Sequence, residues 1–381
     1  MVLIDKLGNY IERLDRPNSD LRYRIDDVCG ITNTKQLVLG TKANLIGRTF
    51  EKFSILSPRE FIFNRRTSRN GERISLGFNA TDRDWILTED YCHFRIRKDK
   101  EDVLDPDYLY LFFLNPEFDR YARYNSWGSA TEFFNWEEII ETPISLIPIS
   151  EQRKIVHDYQ VITDRIELLR RMNENLEAQI MAIYHQTFDD VCREGVVAEL
   201  GEIVGGATPS TEVSDYFCEN GIVWLSPKDL TGTGLKFIFR GETDITEAGY
   251  NSCSTKMVPI GTVLLTSRAP VGTVAIAMKE LCTNQGFKSI VPKALYWTPY
   301  IYCLLKDSKQ LLEANASGTT FLEISGDTLK KLVVPIPEEK LAEEFSRVCA
   351  PIFKQQMLFE QELTQLNSLV SIRVSSIAKG A

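Results

Sequence analysis

The sequence predicts an α/β (α+β) chain of two similar globular domains, each followed by a long helix, with the two helices pairing as an antiparallel coiled coil. Three observations predict it: collinear internal matches, two heptad-spaced segments, and short β-rich runs punctuated by glycine and proline. "KLGNYI" at 6–11 matches "ELGEIV" at 199–204, and "FIFNRR" at 61–66 matches "VLLTSR" at 263–268, which pairs Arg66 with Arg268. "DYLYLFFL" at 107–114 matches "PYIYCLLK" at 299–306, "SWGSATEFF" at 126–134 resembles "NASGTTFLE" at 315–323, and "IPISEQRKI" at 147–155 matches "VPIPEEKLA" at 334–342. The order never changes and the offsets stay within 187 to 202, so the chain reads as a duplicated unit. The expected parts are a first domain at 1–146, a helix at 147–194, a second domain at 195–335 and a second helix at 336–381.

The first helix follows from its apolar positions, Ile155, Tyr159, Ile162, Ile166, Leu169, Leu176, Ile180 and Ile183, which form an a/d seam with polar Asn173 in the vacant place. Ser150, with Glu151 and Gln152 nearby, gives it a capped start, and Gly195 a stop. About 40 residues make a rod of roughly 60 Å. The second seam is Leu341, Phe345, Val348, Ile352, Phe359, Leu363, Leu366, Val370 and Ile377, and Pro351 is expected to kink or restart that helix. Matching seams in one chain favour pairing of the two helices, with a globular domain at each end; the alternative is that each packs on its own domain.

Composition bounds the function. A chain of 381 residues, 43% hydrophobic and 25% charged, fits an ordered protein of two domains. No apolar run approaches the roughly 20 residues of a membrane helix, and "MVLIDKLGNY" lacks the parts of a secretion signal, so a cytoplasmic protein without membrane contact is expected. The cysteines at 29, 92, 192, 218, 253, 282, 303 and 349 show no CxxC pairing, which favours reduced thiols. His93, His157 and His185 are too scattered for a metal cluster, and Cys92-His93 reads as ordinary packing.

A net charge of -9 argues against indiscriminate coating of nucleic acid, yet two segments are locally basic. Residues 59–73 carry Arg59, Arg65, Arg66, Arg69 and Arg73 against Glu60 and Glu72, and 251–293 carry Lys256, Arg268, Lys279, Lys288 and Lys293 against Glu280. Residues 101–151 are acidic, with only Arg120 and Arg123 as cations.

The motifs of several enzymes are missing. No G-x-x-x-x-G-K-[ST] loop or nucleophile elbow occurs, and no acidic pair has metal-nuclease spacing. "NPEF" at 115–118 resembles the motif of amino methyltransferases but has Glu117 where a second proline belongs, and reads as a helix-end turn. The chain reads as a binder.

The binding candidates cluster on turns. In "FIFNRRTSRNGERISLGF", Asn70-Gly71 signals a hairpin that gathers Arg65, Arg66, Arg69 and Arg73 near its tip. In "VLLTSRAPVGTVAIA", Pro270 and Gly272 suit a type I turn beside Arg268. An arginine fork can bond guanine O6 and N7 or a phosphate; the alternative is a salt bridge to a neighbouring carboxylate. Asn284 and Gln285 can read adenine with Lys288 on the backbone, or they can cap a turn. Thr208, Ser210, Ser226 and Lys228 suit phosphates and turns equally.

With these residues in view, "GGATPSTEVSDYFCENGIVWLSPKDL", "NQGF", "SGTTFLEISGDTLKKLVVPIPEEKLAEEF" and the following heptads resemble the specificity subunits of type I restriction-modification systems. The first copy departs from them, with Ser150 where the second has Pro337, and with no clear "TPS" loop. The resemblance implies a non-catalytic subunit whose domains each read half of a bipartite double-stranded DNA site. It implies two methyltransferase subunits that methylate adenine with S-adenosylmethionine, and restriction subunits that use ATP and magnesium, none of these cofactors binding this chain. Acidic surfaces, including part of 101–151, would then face partners or solvent while the basic segments face DNA. The rival readings are a methyltransferase or nuclease active on its own and a coiled-coil scaffold with no nucleic-acid role.

Overall fold

The computed structural model describes residues 3–378 except 33, 41–44, 46, 67–72, 89–90, 129–131, 269 and 319–321. Its chain forms two compact units, Met1–Ile166 with Gln365–Ala381, and Glu167–Thr364.

In unit 1 the strands are β1 (Leu3–Lys6), β2 (Ile11–Leu14), β3 (Cys29–Ile31), β4 (Leu37–Leu39), β5 (Ser54–Leu56), β6 (Phe61–Asn64), β7 (Leu76–Phe78), β8 (Trp85–Leu87), β9 (Tyr91–Ile96) and β10 (Pro143–Leu146). The main sheet is antiparallel in the order β2-β9-β6-β7, and β1 pairs with β10. Its aromatic residues fill the core, with Phe61 stacked 5.1 Å from Phe94. His93 is buried on Glu60 at 2.8 Å. Beneath lie α1 (Pro106–Leu114), α2 (Pro116–Tyr124) and α3 (Trp136–Ile140), and the first long helix α4 runs Ile149–Phe188. Asp105 caps α1 by accepting from the N–H groups of Asp107 and Tyr108 at 2.9 and 3.3 Å. Asn115 ends α1 and caps α2, accepting from the Glu117 N–H at 2.9 Å, so "NPEF" is a helix-end turn.

Unit 2 holds β11 (Arg193–Val196), β12 (Gly201–Gly205), β13 (Phe217–Cys218), β14 (Ile222–Leu225), β15 (Phe237–Ile238), β16 (Asp244–Ile245), β17 (Val263–Leu265), β18 (Val274–Ala277), β19 (Cys282–Thr283), β20 (Lys288–Pro292) and β21 (Val333–Ile336). Its helices are α5 (Pro227–Thr231), α6 (Glu247–Asn251), α7 (Thr298–Asp307), α8 (Lys309–Ala314), α9 (Gly326–Lys331) and the second long helix α10 (Glu339–Ala378). The sheets run β12-β20-β17-β18-β15 and β13-β16-β14-β19, and β11 pairs with β21.

The duplication is visible bond by bond. The Leu7 N–H donates to Thr142 O at 2.9 Å and the Val197 N–H to Leu332 O at 3.1 Å, so donors and acceptors alike repeat after 190 residues. This corrects the offsets of 193 and 187 read from the first and last sequence matches, which slip by three. The slip is easy because these segments turn through short 3-10 helices or begin an α-helix, where a shift of three returns an apolar residue to the same face. Between those ends, Phe61 opposite Phe94 corresponds to Val263 opposite Ile290.

Helices α4 and α10 each span 40 residues. The start of α4 shares unit 1 with the end of α10, and the start of α10 shares unit 2 with the end of α4, so they pair antiparallel. Ile166, Leu169 and Ile180 are buried, and Ile155, Tyr159, Ile162, Leu176 and Ile183 partly so. On α10, Phe345, Phe359 and Leu363 are buried and Leu341, Ile352, Leu366 and Val370 partly so, but Val348 is 51% exposed and Cys349 takes its place at 0%. Gln356 and Val374 fill the two vacancies in the sequence-predicted seam, both buried. The helix continues through Pro351, whose exposed face leaves the freed carbonyl open to water. Pro148, not Ser150, caps α4, accepting from the N–H groups of Glu151 and Gln152 at 2.9 and 3.1 Å, and Gly195 lies in β11 beyond the end of α4. No helix among the described residues is long and apolar enough to cross a membrane.

Polar residues fix each unit to its helices. In unit 1, buried Gln152 donates to Val103 O and Ile147 O, both at 2.8 Å, and Asn115 donates to Val374 O at 2.8 Å. In unit 2, buried Lys236 meets Glu177 of α4 at 3.0 Å and Gln356 of α10 at 2.9 Å, above the rings of Phe353 (3.8 Å) and Tyr302 (4.1 Å). Glu360 accepts from the backbone N–H groups of Lys236 and Phe237 at 3.0 Å. Burial pushes the Glu177 carboxyl up, but Lys236 and Lys306 outweigh it and hold it at about 2. Burial raises Glu360 and lowers Lys236. The Glu177 contribution to stability is therefore present above its ordinary value of 4.5 and lost as pH falls toward about 2. We expect Glu177→Gln to lower stability at neutral pH by roughly 3 kcal/mol. Urea titrations should show the gap to the wild type closing as pH falls below 4.5.

Candidate nucleic-acid interface

Both copies build the same corner around one arginine. Arg66 forms a backbone bridge with Phe133, and Phe133 with Trp127; Arg268 bridges Glu323, and Glu323 bridges Ser317. The residue after each partner repeats the pattern, the Phe134 N–H donating to Arg65 O at 2.8 Å and the Ile324 N–H to Ser267 O at 3.0 Å. The loops leaving these bridges start at Gly128 and Gly318, whose φ angles of 146° and 135° fall where a side chain is strained. Arg65 and Arg73 are exposed and Arg66 partly buried, its N–H donating to Asn64 Oδ1 at 3.0 Å. Arg69 and the Asn70-Gly71 turn lie outside the described residues, although β6 and β7 do pair as antiparallel neighbours. Arg59 turns away from this corner to the acidic segment, at 2.5 Å from Asp107 and 3.8 Å from Asp105.

In unit 2 the candidates from four separate segments converge. The Thr208 hydroxyl donates to Gln285, the Lys288 ammonium to Gln285 O at 3.3 Å, and Lys288 and Arg268 flank Glu323 at 3.6 and 3.9 Å. Close backbone approach makes this possible. A Cβ on Gly206 would sit 1.9 Å from Thr283 O, and one on Gly286 would sit 2.7 Å from Pro227 Cγ, so the 206–208, 226–228 and 283–288 loops are in contact. Gln285 and Ser210 are exposed, with Ser210 O accepting from the Val213 N–H at 3.3 Å.

Other candidates also hold turns. Asn284 Oδ1 accepts from the Gly286 N–H at 2.8 Å, and Ser226 is tied to Asp229 of α5 by its N–H (2.7 Å) and hydroxyl (2.8 Å). Lys228 pairs with Glu242 at 2.9 Å on the surface. Sequence reasoning missed Glu323, the carboxylate between Arg268 and Lys288; the match of 126–134 with 315–323 sets it opposite Phe134, one residue off the Phe133 that the bridges make its counterpart. Chemically the corner offers two cations, one acidic residue and several amides and hydroxyls, a set able to bond phosphates and base edges. Among the described residues, no group of three or more His, Cys, Asp or Glu side chains is placed to hold a metal ion.

Residues 194–360 match the type I restriction modification DNA specificity domain. This match lies within unit 2 and spans less than half of the chain. The chain is 42% identical over 154 residues, or 40% of its length, to the type I restriction enzyme MjaIX specificity subunit of Methanocaldococcus jannaschii. To the HindI specificity subunit of Haemophilus influenzae it is 24% identical over 184 residues, or 47% of its length. These matches span 35% and 39% of the two relatives' own lengths, so the chain covers little more than a third of each. A crystal structure of a type I restriction-modification S subunit from M. genitalium shares the fold, with a TM-score of 0.59 at 13% identity over 99% of this chain and 96% of that one.

The Gly206 contact carries a test within the matched residues. Gly206→Ala should displace the 206–210 loop and perturb the amide resonances of Thr208 and Gln285, whereas Gly205→Ala, whose Cβ would meet nothing nearer than 3.9 Å, should leave both in place.

Proposed function

We propose that this chain is the DNA sequence-specificity subunit of a type I restriction-modification complex, each globular domain reading one half of a bipartite site. One observation carries the reading: Arg66 and Arg268 occupy the same backbone bridge in the two copies, and the second copy lies within the residues that match a DNA specificity domain. An arginine repeated at one place in both copies suits a shared task at the nucleic acid, because its fork bonds guanine or phosphate with two parallel hydrogen bonds. The paired helices set the spacing of the half-sites and dock methyltransferase subunits. In this reading the chain is not itself an enzyme. Two methyltransferase subunits bring S-adenosylmethionine and methylate adenine, and restriction subunits bring ATP and magnesium. The chain works in the cytoplasm, without a membrane.

Glu323 sharpens the electrostatics. It lies between Arg268 and Lys288 at distances too long for tight pairing, so both cations stay available to a ligand while Glu323 limits indiscriminate binding. The first copy has Phe133 at that place, so its arginine meets DNA without an acidic neighbour at the bridge.

Arg66→Ala and Arg268→Ala should each weaken specific DNA binding by the assembled complex. The loss should be about 1–3 kcal/mol for a base contact, or a fall of about 1 in the salt-dependence slope for a phosphate contact. Titrations at several salt concentrations measure both, and unchanged affinity and slope in both variants would remove the arginines from the interface. The purified chain incubated with DNA, S-adenosylmethionine and magnesium should transfer no methyl group and cut nothing.

A further inference from the structure

Among the described residues the two copies each bury one lysine beside the same helix, and they satisfy it differently. Lys35 lies shortly before β4 and Lys236 just before β15, both almost fully buried. The Tyr110 hydroxyl of α1 donates to Lys35 O at 2.9 Å, and its counterpart in the repeat, Tyr302 of α7, lies 4.1 Å below the Lys236 ammonium. In unit 2 the helices supply the counter-charge, Glu177 at 3.0 Å. Helices α4 and α10 repeat after 190 residues, from Ile149 to Glu339, which puts Asn367 at the place of Glu177. The second copy of the helix has an amide where the first has a carboxylate.

Lys35 turns instead to α2, pairing with Asp119 at 2.7 Å and donating to Phe113 O at 2.5 Å. A cavity of about 730 Å³ opens beside it, within unit 1, lined by Lys35, Asn367, Arg73, Arg120 and Arg123. Asp119 is the one carboxylate in the wall among the described residues, and it is already engaged by Lys35 and by the Ile74 N–H at 3.1 Å. Arg120 shares Glu117, while Arg73 and Arg123 have no carboxylate partner among the described residues. Burial lowers the Lys35 pKa, Asp119 opposes it, and Arg73 lowers it further, so positive charge crowds this wall.

We propose that this cavity is an anion site that takes a phosphoryl group on Arg73 and Arg123, beside the position where the other copy of the helix carries the Glu177 carboxylate. Arginine forks match the geometry of phosphate oxygens, and the cavity is large enough for a small phosphorylated ligand. The phosphate can come from a DNA backbone or from a free small molecule, and the site's chemistry is the same for both.

Calorimetric titration of the full chain with inorganic pyrophosphate, at constant ionic strength, tests the site without relying on DNA recognition. Saturable binding at one site is expected, weakened at least about tenfold in Arg73→Ala and in Arg123→Ala. Circular dichroism should show both variants folded. Asn367→Glu, which restores the carboxylate of the other copy, should abolish binding and raise the thermal midpoint in the absence of pyrophosphate. No saturable binding to the wild type would overturn the proposal, as would unchanged binding in both arginine variants. Repeating the titration with DNA-bound complex separates the sources: competition assigns the phosphate to the DNA backbone, and independence assigns it to a free ligand.

Discussion

Neither hydrophobic core closes without residues from a helix that also serves the other unit. Ile377, near the end of α10, is buried with Leu111 and Ile144 in the core of unit 1, while Ile180, Tyr184 and Phe188, near the end of α4, are buried with Tyr300 and Phe345 in that of unit 2. The antiparallel seam therefore has to be in register before either core is complete. Apolar a/d positions alone tolerate a heptad slip, whereas a polar residue in the seam does not. The amide of Gln356 donates to Asn173 O at 3.4 Å and to Glu177 Oε2 at 3.1 Å, joining the two polar places of the opposing seams. A slip would strand Lys236 without its carboxylate. Burying two charges costs much of what their attraction contributes, so the pair is better understood as a register device than as a source of stability.

The interface depends on that scaffold through β17, β20 and the bridge at Glu323. Backbone contacts hold Arg268, Lys288 and Gln285 together, and the glycines at 206 and 286 let the loops approach closely enough for their side chains to share one surface. Few of these side chains are free of local structural work. Asn284 and Ser226 stabilise the turns that present their neighbours, which leaves exposed Gln285 and Ser210 and the partly exposed Arg268, Lys288 and Thr208 as the groups a ligand can reach.

The duplication, the two helices and the pairing of Arg66 with Arg268 were legible because each is a pattern of residue type at a fixed spacing. The register of the outer matches was not, since a three-residue slip preserves the apolar face of a tight helical turn. Val348 and Cys349 are both apolar enough to fill a seam, and only packing distinguishes them. Pro351 reads as a break, yet a helix held on its buried side tolerates one lost hydrogen bond at its exposed side. Charge balance along the sequence does not show the ion pairs: Asp105, Asp107 and Asp119 of the acidic segment serve as partners for Arg59 and Lys35, a pairing between residues far apart in the chain.

The strand pairs β1 with β10 and β11 with β21 give each domain a two-stranded clasp, through which the chain enters and leaves by adjacent strands about 4.8 Å apart. Inside the clasp the copies have diverged in length. Between the paired residues Phe63 and Leu76 the first hairpin has four more residues than the second has between Leu265 and Val274. Outside the clasp the spacing returns to 190 residues in every helix and strand compared. Local insertions and deletions can thus reshape the surface offered by one reader while the points where it hangs from the helices stay where they are.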